Sequence, residues 1–195
     1  MQATPQIVLA STSKYRRELL TRLGLPFDVA SPGVDETPLA NEAPQETARR
    51  LAEAKSRAVS ERFPQAIVIG SDQVAVLEGL PLGKPGNHAN AMRQLAAMRG
   101  KEVVFHTALC LAHAASGRTI TRVVPYRVRF REYSDLQIER YLQREQPYDC
   151  AGSARCEGLG IALIAEMRGD DPNALIGLPL IALTEMLGEL GVSVL

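Results

Sequence analysis

The chain has 195 residues, 46% of them hydrophobic and 23% charged, an ordinary globular composition with room for one substantial core. Lys+Arg (22) and Asp+Glu (22) cancel, so no net field draws the chain to nucleic acid or a membrane surface, and any polyanion must be met by a few placed cations. Three cysteines without a CxxC pair argue against a disulfide framework or a zinc site, and the start Met1–Pro5 with no long apolar run excludes a signal peptide or membrane span, which leads us to expect a cytoplasmic protein.

Ile7, Val8, Leu9 and Ala10 read as a short buried strand that runs into Ser11, Thr12 and Ser13. From Lys14 the pattern becomes helical, with Leu19, Leu20 and Leu23 on one face and Gly24 at the C-terminal end. A strand, a hydroxyl-rich turn and a helix N-terminus make an anion site, because hydroxyls and free helix N–H groups both face the ligand. Arg16 and Arg17 oppose the helix dipole there, so local stability does not select them, whereas a phosphate ligand would. The alternative is a plain helix cap with solvated arginines.

Residues 25–41 read as a strand followed by an acidic loop carrying Asp35 and Glu36. Pro44 suits a first helical position, and a helix is expected from Gln45 to Arg62. Its apolar face holds Ala48, Leu51, Ala52, Val59 and Phe63. Lys55 lies on that face, four residues from both Leu51 and Val59. Such a lysine either snorkels to the rim or turns its ammonium into a cleft to meet an anion.

Ala66 to Ile69 then forms a strand buried on both faces, running into Gly70, Ser71, Asp72 and Gln73. Asp72 is expected at the carboxyl end of that strand, where open α/β sheets bind ligands. Residues 74–82 read as a small hairpin turning at Glu78-Gly79. Lys84, fixed between Gly83 and Pro85, sits on a stiff loop. Asn87 caps a helix reaching Met98, and residues 102–113 and 118–131 read as two long antiparallel strands. Ser134 to Gln137 is a capping box opening a helix that Pro147 stops. Cys150 to Gly160 is a small-residue loop with Glu157 in its middle, and a strand is expected over Ile161–Ile164. A polar loop follows from Asp170, and Pro179 opens a last helix. His88, His106 and His113 show no metal-ligand spacing. Together these elements make one α/β domain over residues 1–195, with a mixed sheet flanked by helices.

Taken in order, the motifs resemble those of the Maf-like nucleotide pyrophosphatases. The matching pieces are Leu9 to Arg16, Val34 to Glu36, Glu53 to Ala58, Gly70 to Gln73, Gly83 to Pro85, Ala151 to Ser153 and Asp171 to Pro179, which cover nearly the whole chain. Tyr15, Gln73 and Glu157 look most like the branch acting on 7-methyl-GTP, whereas the branch acting on dTTP and UTP usually has Arg, Thr and Gln there. Lys14 departs from the family pattern, where Pro is common. The resemblance implies an elongated mixed sheet with a central cleft, like that of the inosine triphosphate pyrophosphatases, together with a divalent cation (Mg²⁺ or Mn²⁺) and cleavage of an α–β phosphoanhydride. It implies that Asp72 is the general base or a metal ligand orienting water, that Glu36 helps hold the metal, and that Ser11, Arg16, Lys55 and Lys84 contact the triphosphate.

These roles make chemical sense, since anhydride hydrolysis needs positioning and charge neutralisation more than a covalent nucleophile. Carboxylate oxygens suit a hard cation. An aromatic face from Tyr15 and a carboxylate from Glu157 favour the positive charge of an N7-methylated guanine, and Gln73 offers a donor and an acceptor to a base edge. The expected partner is a small nucleotide, with neither nucleic acid nor membrane, and a homodimer is expected by base rate. Alternatives are a pyrophosphatase for dTTP, UTP or other modified nucleotides, and a nucleotide-binding regulator of cell division.

Overall fold

The computed structural model describes residues 5–195, a mixed α/β architecture built on a seven-stranded sheet. The strands are β1 (Ile7–Ala10), β2 (Asp28–Ala30), β3 (Ile67–Leu77), β4 (Leu80–Leu82), β5 (Glu102–His113), β6 (Arg118–Phe130) and β7 (Ile164–Arg168). Their spatial order is β2-β1-β3-β5-β6-β7, with β4 added to β3. β1 runs parallel to β2 and β3, while the β3–β5, β5–β6, β6–β7 and β3–β4 pairs are antiparallel.

The helices are α1 (Lys14–Thr21), α2 (Pro44–Ser60), α3 (His88–Met98), α4 (Asp135–Glu145), α5 (Asn173–Ile176) and α6 (Leu180–Glu189). Most starts follow the chemistry read from the chain. Ser13 caps α1, Asn87 caps α3, a full Ser134–Gln137 capping box opens α4, and Pro44 sits in the first turn of α2. Glu78 and Gly79 both have positive φ, the conformation a two-residue hairpin turn requires.

Two apolar clusters lie toward opposite ends of β3. One joins Ile67 and Ile69 to Ile7, Leu9, Leu109, Leu111 and the inner faces of α1 and α6. The other joins Ala75 and Leu77 to Val103, Phe105, Phe130 and the inner faces of α3 and α4. Asp72 and Gln73 fall between the two. α2 lies across β3 and β5 on a face of small residues, Ala48 and Ala52 meeting Ala108 and Cys110.

Gly70 is what lets α2 come so close. A Cβ there would stand 2.2 Å from Ala52 O and 2.7 Å from Ser56 N, both backbone atoms that cannot swing aside.

Three local expectations are corrected. β3 does not end at Asp72 but continues to Leu77, because β5 pairs with it along its whole length, from Ile67↔His113 to Leu77↔Val103. The strand that ends is its neighbour. β1 stops at Ala10, opposite Gly70, and β4 joins only at Ala75, so Ser71–Val74 have a free edge facing a gap in the sheet. Ile161–Leu163 belong to a 3₁₀ turn (Leu159–Leu163) rather than a strand, since pairing with β6 begins only at Ile164↔Phe130. Within the polar loop after Asp170 lies a single helical turn, α5, started by the Asp171 carboxylate accepting from Asn173 N (3.0 Å) and closed by Gly177 at φ 113°.

Candidate active-site cleft

A cleft of about 870 Å³ opens at the gap between β1 and β4, and all nine residues singled out from the sequence line it: Ser11, Tyr15, Arg16, Glu36, Lys55, Asp72, Gln73, Lys84 and Glu157. They come from six separate stretches of chain, which the crossing of α2 over β3 and the β1–α1 turn bring together.

Its centre is a three-membered charge cluster. The buried Lys55 Nζ lies 2.7 Å from Asp72 Oδ1 and 2.6 Å from Glu36 Oε1. The lysine therefore turns into the cleft and does not snorkel, and its first partners are protein carboxylates. Asp72 Oδ2 and Glu36 Oε2 accept no hydrogen bond among the described residues. Burial works to raise the pKa of Glu36, but the Lys55 hydrogen bond and the charges of Lys55, Lys84 and Arg16 outweigh it and hold the carboxyl below its ordinary value. Asp35, its sequence neighbour, is turned inward to its own loop, where Oδ1 accepts from Thr37 N (2.9 Å) and Thr37 Oγ1 (2.7 Å). Of this carboxylate pair only Glu36 faces the cleft.

The cations are fixed from behind. Arg16 donates from Nε to Gly177 O (2.9 Å), leaving both terminal nitrogens uncommitted among the described residues. Burial lowers its pKa, while Asp72 and Glu36 oppose that shift. Arg17, its neighbour, lines a separate groove with Thr21 and Phe27. Lys84 is exposed on a loop pinned at three points, Gly83 O to Gln94 Nε2 (2.9 Å), Pro85 O to Asn90 Nδ2 (2.8 Å) and Gly86 N to Tyr148 O (3.0 Å). Ser11 Oγ accepts from Ser13 N (3.1 Å), and Ser13 Oγ accepts from Arg16 N (3.4 Å), so the hydroxyl turn caps α1 as well as bordering the cleft.

The floor is held by residues that spacing alone does not reveal. Ser71 Oγ shares its single proton between Gly177 O (2.9 Å) and Ala108 O (2.8 Å), and Thr107 Oγ1 donates to Ala174 O (2.8 Å). Gln73 Nε2 donates to Ala174 O (2.8 Å) and Leu175 O (3.1 Å), which dictates how its amide faces. Its donor side therefore holds α5, and its carbonyl oxygen accepts no hydrogen bond among the described residues.

Away from the Lys55 cluster, Tyr15 and Glu157 also line the cleft, and a residue the sequence reading passed over joins them. Arg155 places its guanidinium 5.2 Å from the Tyr15 ring centre and its Nε 3.4 Å from Glu157 Oε1. It was legible in principle as the one cation in the Cys150–Gly160 loop. Burial first, then the neighbouring Cys150, raises the Tyr15 pKa, so the ring stays a neutral phenol. Burial also pushes the Cys150 and Cys156 thiols up to about 12, which leaves neither as a ready nucleophile.

The oxygen donors at Glu36 and Asp72 fit a hard divalent cation that keeps its waters and shares substrate oxygens. Among the described residues no group of three or more His, Cys, Asp or Glu is arranged to cage a metal by itself. No helix among them is long and apolar enough to cross a membrane.

Fold and cleft together define a mixed α/β protein with cations and carboxylates gathered around a small-ligand cleft. The chain belongs to the Maf-like protein family, whose model matches residues 6–190. A relative from Methylobacillus flagellatus named 7-methyl-GTP pyrophosphatase is 63% identical over 191 residues, covering 98% of this chain and 100% of its own. One of the same name from Nitrosospira multiformis is 61% identical over 193 residues, covering 99% and 98%. A solved nucleoside-triphosphatase (dITP/XTP pyrophosphatase) from Mycobacterium abscessus aligns over 95% of this chain and 97% of its own, at 15% identity and a TM-score of 0.47.

Proposed function

We propose that the chain hydrolyses 7-methyl-GTP to 7-methyl-GMP and pyrophosphate. The observation that carries this reading is the convergence of Arg16, Lys55, Lys84, Glu36 and Asp72 in one cleft that Tyr15 and Glu157 also line. The relatives named 7-methyl-GTP pyrophosphatase, at 61–63% identity over nearly the whole chain, support the choice of substrate.

In this reading Arg16 and Lys84 grip the triphosphate from two sides, with Ser11 and the N-terminus of α1 receiving phosphate oxygens. Lys55 keeps Asp72 and Glu36 together despite their like charge. Asp72, through its free oxygen, orients the water that attacks the α-phosphorus, and as that bond forms the α–β bridging bond breaks and pyrophosphate leaves. Glu36 and Asp72 are the residues that would hold Mg²⁺ or Mn²⁺, which when bound neutralises phosphate charge. Glu157 and the Tyr15 face favour the positive charge of the methylated base.

The test is metal-dependent pyrophosphate release across a panel of natural and methylated triphosphates at equal concentration. 7-Methyl-GTP is expected to lead the panel, and a clear preference for dTTP or UTP would overturn the reading. Asp72→Asn should bind nucleotide without turning it over. Full turnover by that variant would remove Asp72 from the chemistry.

A further inference from the structure

The wall proposed to receive the base already holds a cation of the protein's own. Arg155 presents a planar, delocalised positive charge to the Tyr15 ring (5.2 Å) and to the Glu157 carboxylate (3.4 Å). An N7-methylated guanine is likewise planar and positively charged over its ring system, so the two compete for the same partners. We propose that Arg155 is a specificity-determining residue, an internal occupant of the cationic-base subsite that the substrate base must displace. The proposal rests on the functional reading above and deepens it.

The geometry supplies a place for the displaced side chain. Arg155 Nη1 lies 2.8 Å from Glu145 Oε1, at the end of α4, and Glu145 is itself fixed by accepting from Leu159 N (3.0 Å). Releasing Tyr15 and Glu157 therefore leaves the guanidinium one carboxylate to hold. The backbone does not have to move. Arg155 N donates to Tyr141 Oη (3.1 Å), and Gly160 packs so tightly on this residue that a Cβ would stand 2.4 Å from Arg155 O. Lys14 also approaches the Tyr15 ring (4.9 Å to its centre), but it is exposed and pairs with no carboxylate among the described residues.

Competition is unequal for different bases. A cationic base uses both the Tyr15 face and Glu157, and so must displace Arg155 from both. A neutral base gains little from Glu157, so it leaves the Arg155–Glu157 contact in place and competes only for the ring. Removing the guanidinium should therefore help the cationic base more, and Arg155 sets how strongly the cleft discriminates between the two.

The experiment compares wild type, Arg155→Gln and Arg155→Lys in steady-state turnover of 7-methyl-GTP and GTP, with equilibrium binding of 7-methylguanosine and guanosine alongside. In Arg155→Gln the 7-methyl-GTP KM is expected to fall about 3-fold or more, the size of an exposed cation–π contact, while the GTP KM changes less. Arg155→Lys keeps a charge for Glu145 but not the planar stack, so it should lower the same KM by a smaller factor, and it decides the matter if the Gln variant does not fold. A rise in KM for both substrates, an equal fall for both, or no change in either would overturn the proposal. The nucleosides carry no phosphate and separate the two readings. If wild type fails to turn over 7-methyl-GTP but Arg155→Gln binds 7-methylguanosine more tightly than wild type does, the functional reading fails and the Arg155 assignment stands.

Discussion

Lys55 and Asp72 form the one buried ion pair that crosses from α2 to β3, with Nζ and Oδ1 2.7 Å apart. Glu36 caps the same ammonium from the acidic loop. Replacing the lysine leaves two carboxylates facing each other with no cation between them. Lys55→Met is therefore expected to destabilise the fold, by less than the roughly 3–5 kcal/mol of a fully enclosed pair because Asp72 borders an open cleft. Adding Asp72→Asn should restore part of the loss, since the orphaned charge is gone. Denaturant unfolding of the two single variants and the double variant measures this coupling, and strict additivity would show that the pair does not act as a unit.

Gly70 sets the distance over which that pair forms. Its Cβ position is filled by Ala52 O and lies against Ser56 N, in the turn of α2 that carries Lys55. Gly70→Ala must push the helix off the strand, at a cost of about 1–3 kcal/mol or more, as for other overpacked sites. The same shift draws Lys55 away from Asp72, so pyrophosphate release should fall together with the unfolding midpoint. A variant of unchanged stability would mean that α2 adjusts without strain.

The helix starts were legible because each carries its own local chemistry: Ser13, Asn87 and Ser134 bond the backbone within three residues. Lys55 and Lys84 were legible because each is locally odd, one on an apolar face and the other between Gly and Pro, whereas Glu36, Tyr15, Gln73 and Glu157 drew their roles from the family resemblance. The long reach of β3 was not, because what keeps Asp72 in a strand is its pairing with Ala108, far away in the chain. The same holds for Arg155, whose partners are Glu145 and a ring 140 positions earlier. Ile161–Ile164 was read as a strand from its apolar run, but Ile161 is half-exposed in a 3₁₀ turn, and it is the register with β6 that decides where the strand begins, at Ile164.

The acidic loop should loosen in acid before the rest of the protein. Glu42 binds Arg50 (Oε1 to Nε, 2.6 Å) and also accepts from Thr47 Oγ1 (2.9 Å), and Arg50 reaches back to Thr37 O (3.2 Å). The hydrogen bond from Arg50 brings the Glu42 carboxyl down to about 2, and the Asp35 and Glu36 carboxyls are also held below their ordinary values, Asp35 by Thr37 and Glu36 by Lys55 against its burial. A depressed folded-state pKa stabilises above the unfolded value of about 4 and is lost as pH falls toward the folded one. The stability gap between wild type and Glu42→Gln is thus expected to be widest near pH 6 and to close between about pH 4 and pH 2. Thermal unfolding of both proteins across that range measures it, and a gap independent of pH would remove Glu42 from this role.

Glu157→Gln removes the carboxylate but keeps the size of the side chain. If the charge is what favours a methylated base, the KM for 7-methyl-GTP should rise about 3- to 5-fold, the scale of a partly exposed ion pair. The KM for GTP should move little. Equal losses for the two substrates would mean that Glu157 supports the loop through Arg155 and does not read the base.

Removing the divalent cation should stop turnover without unfolding the protein. The two carboxylates proposed to hold it, Glu36 and Asp72, already share the Lys55 ammonium and feel the charges of Arg16 and, at Glu36, Lys84, so the metal-free cleft carries no unneutralised acidic pair. A metal that keeps most of its waters and binds through two carboxylates is held weakly by protein alone, and its loss costs only its own binding free energy. Chelation is therefore expected to abolish pyrophosphate release while lowering the melting temperature by no more than about 2–4 °C. Added Mg²⁺ or Mn²⁺ should restore the activity. The contrast with Lys55→Met is the informative one: that variant should become more dependent on metal for its stability, because Arg16 and Lys84 then remain the nearby protein cations and the hydrogen-bonded ammonium between Asp72 and Glu36 is gone. A melting temperature in Lys55→Met that ignores added metal would show that these two carboxylates do not hold it.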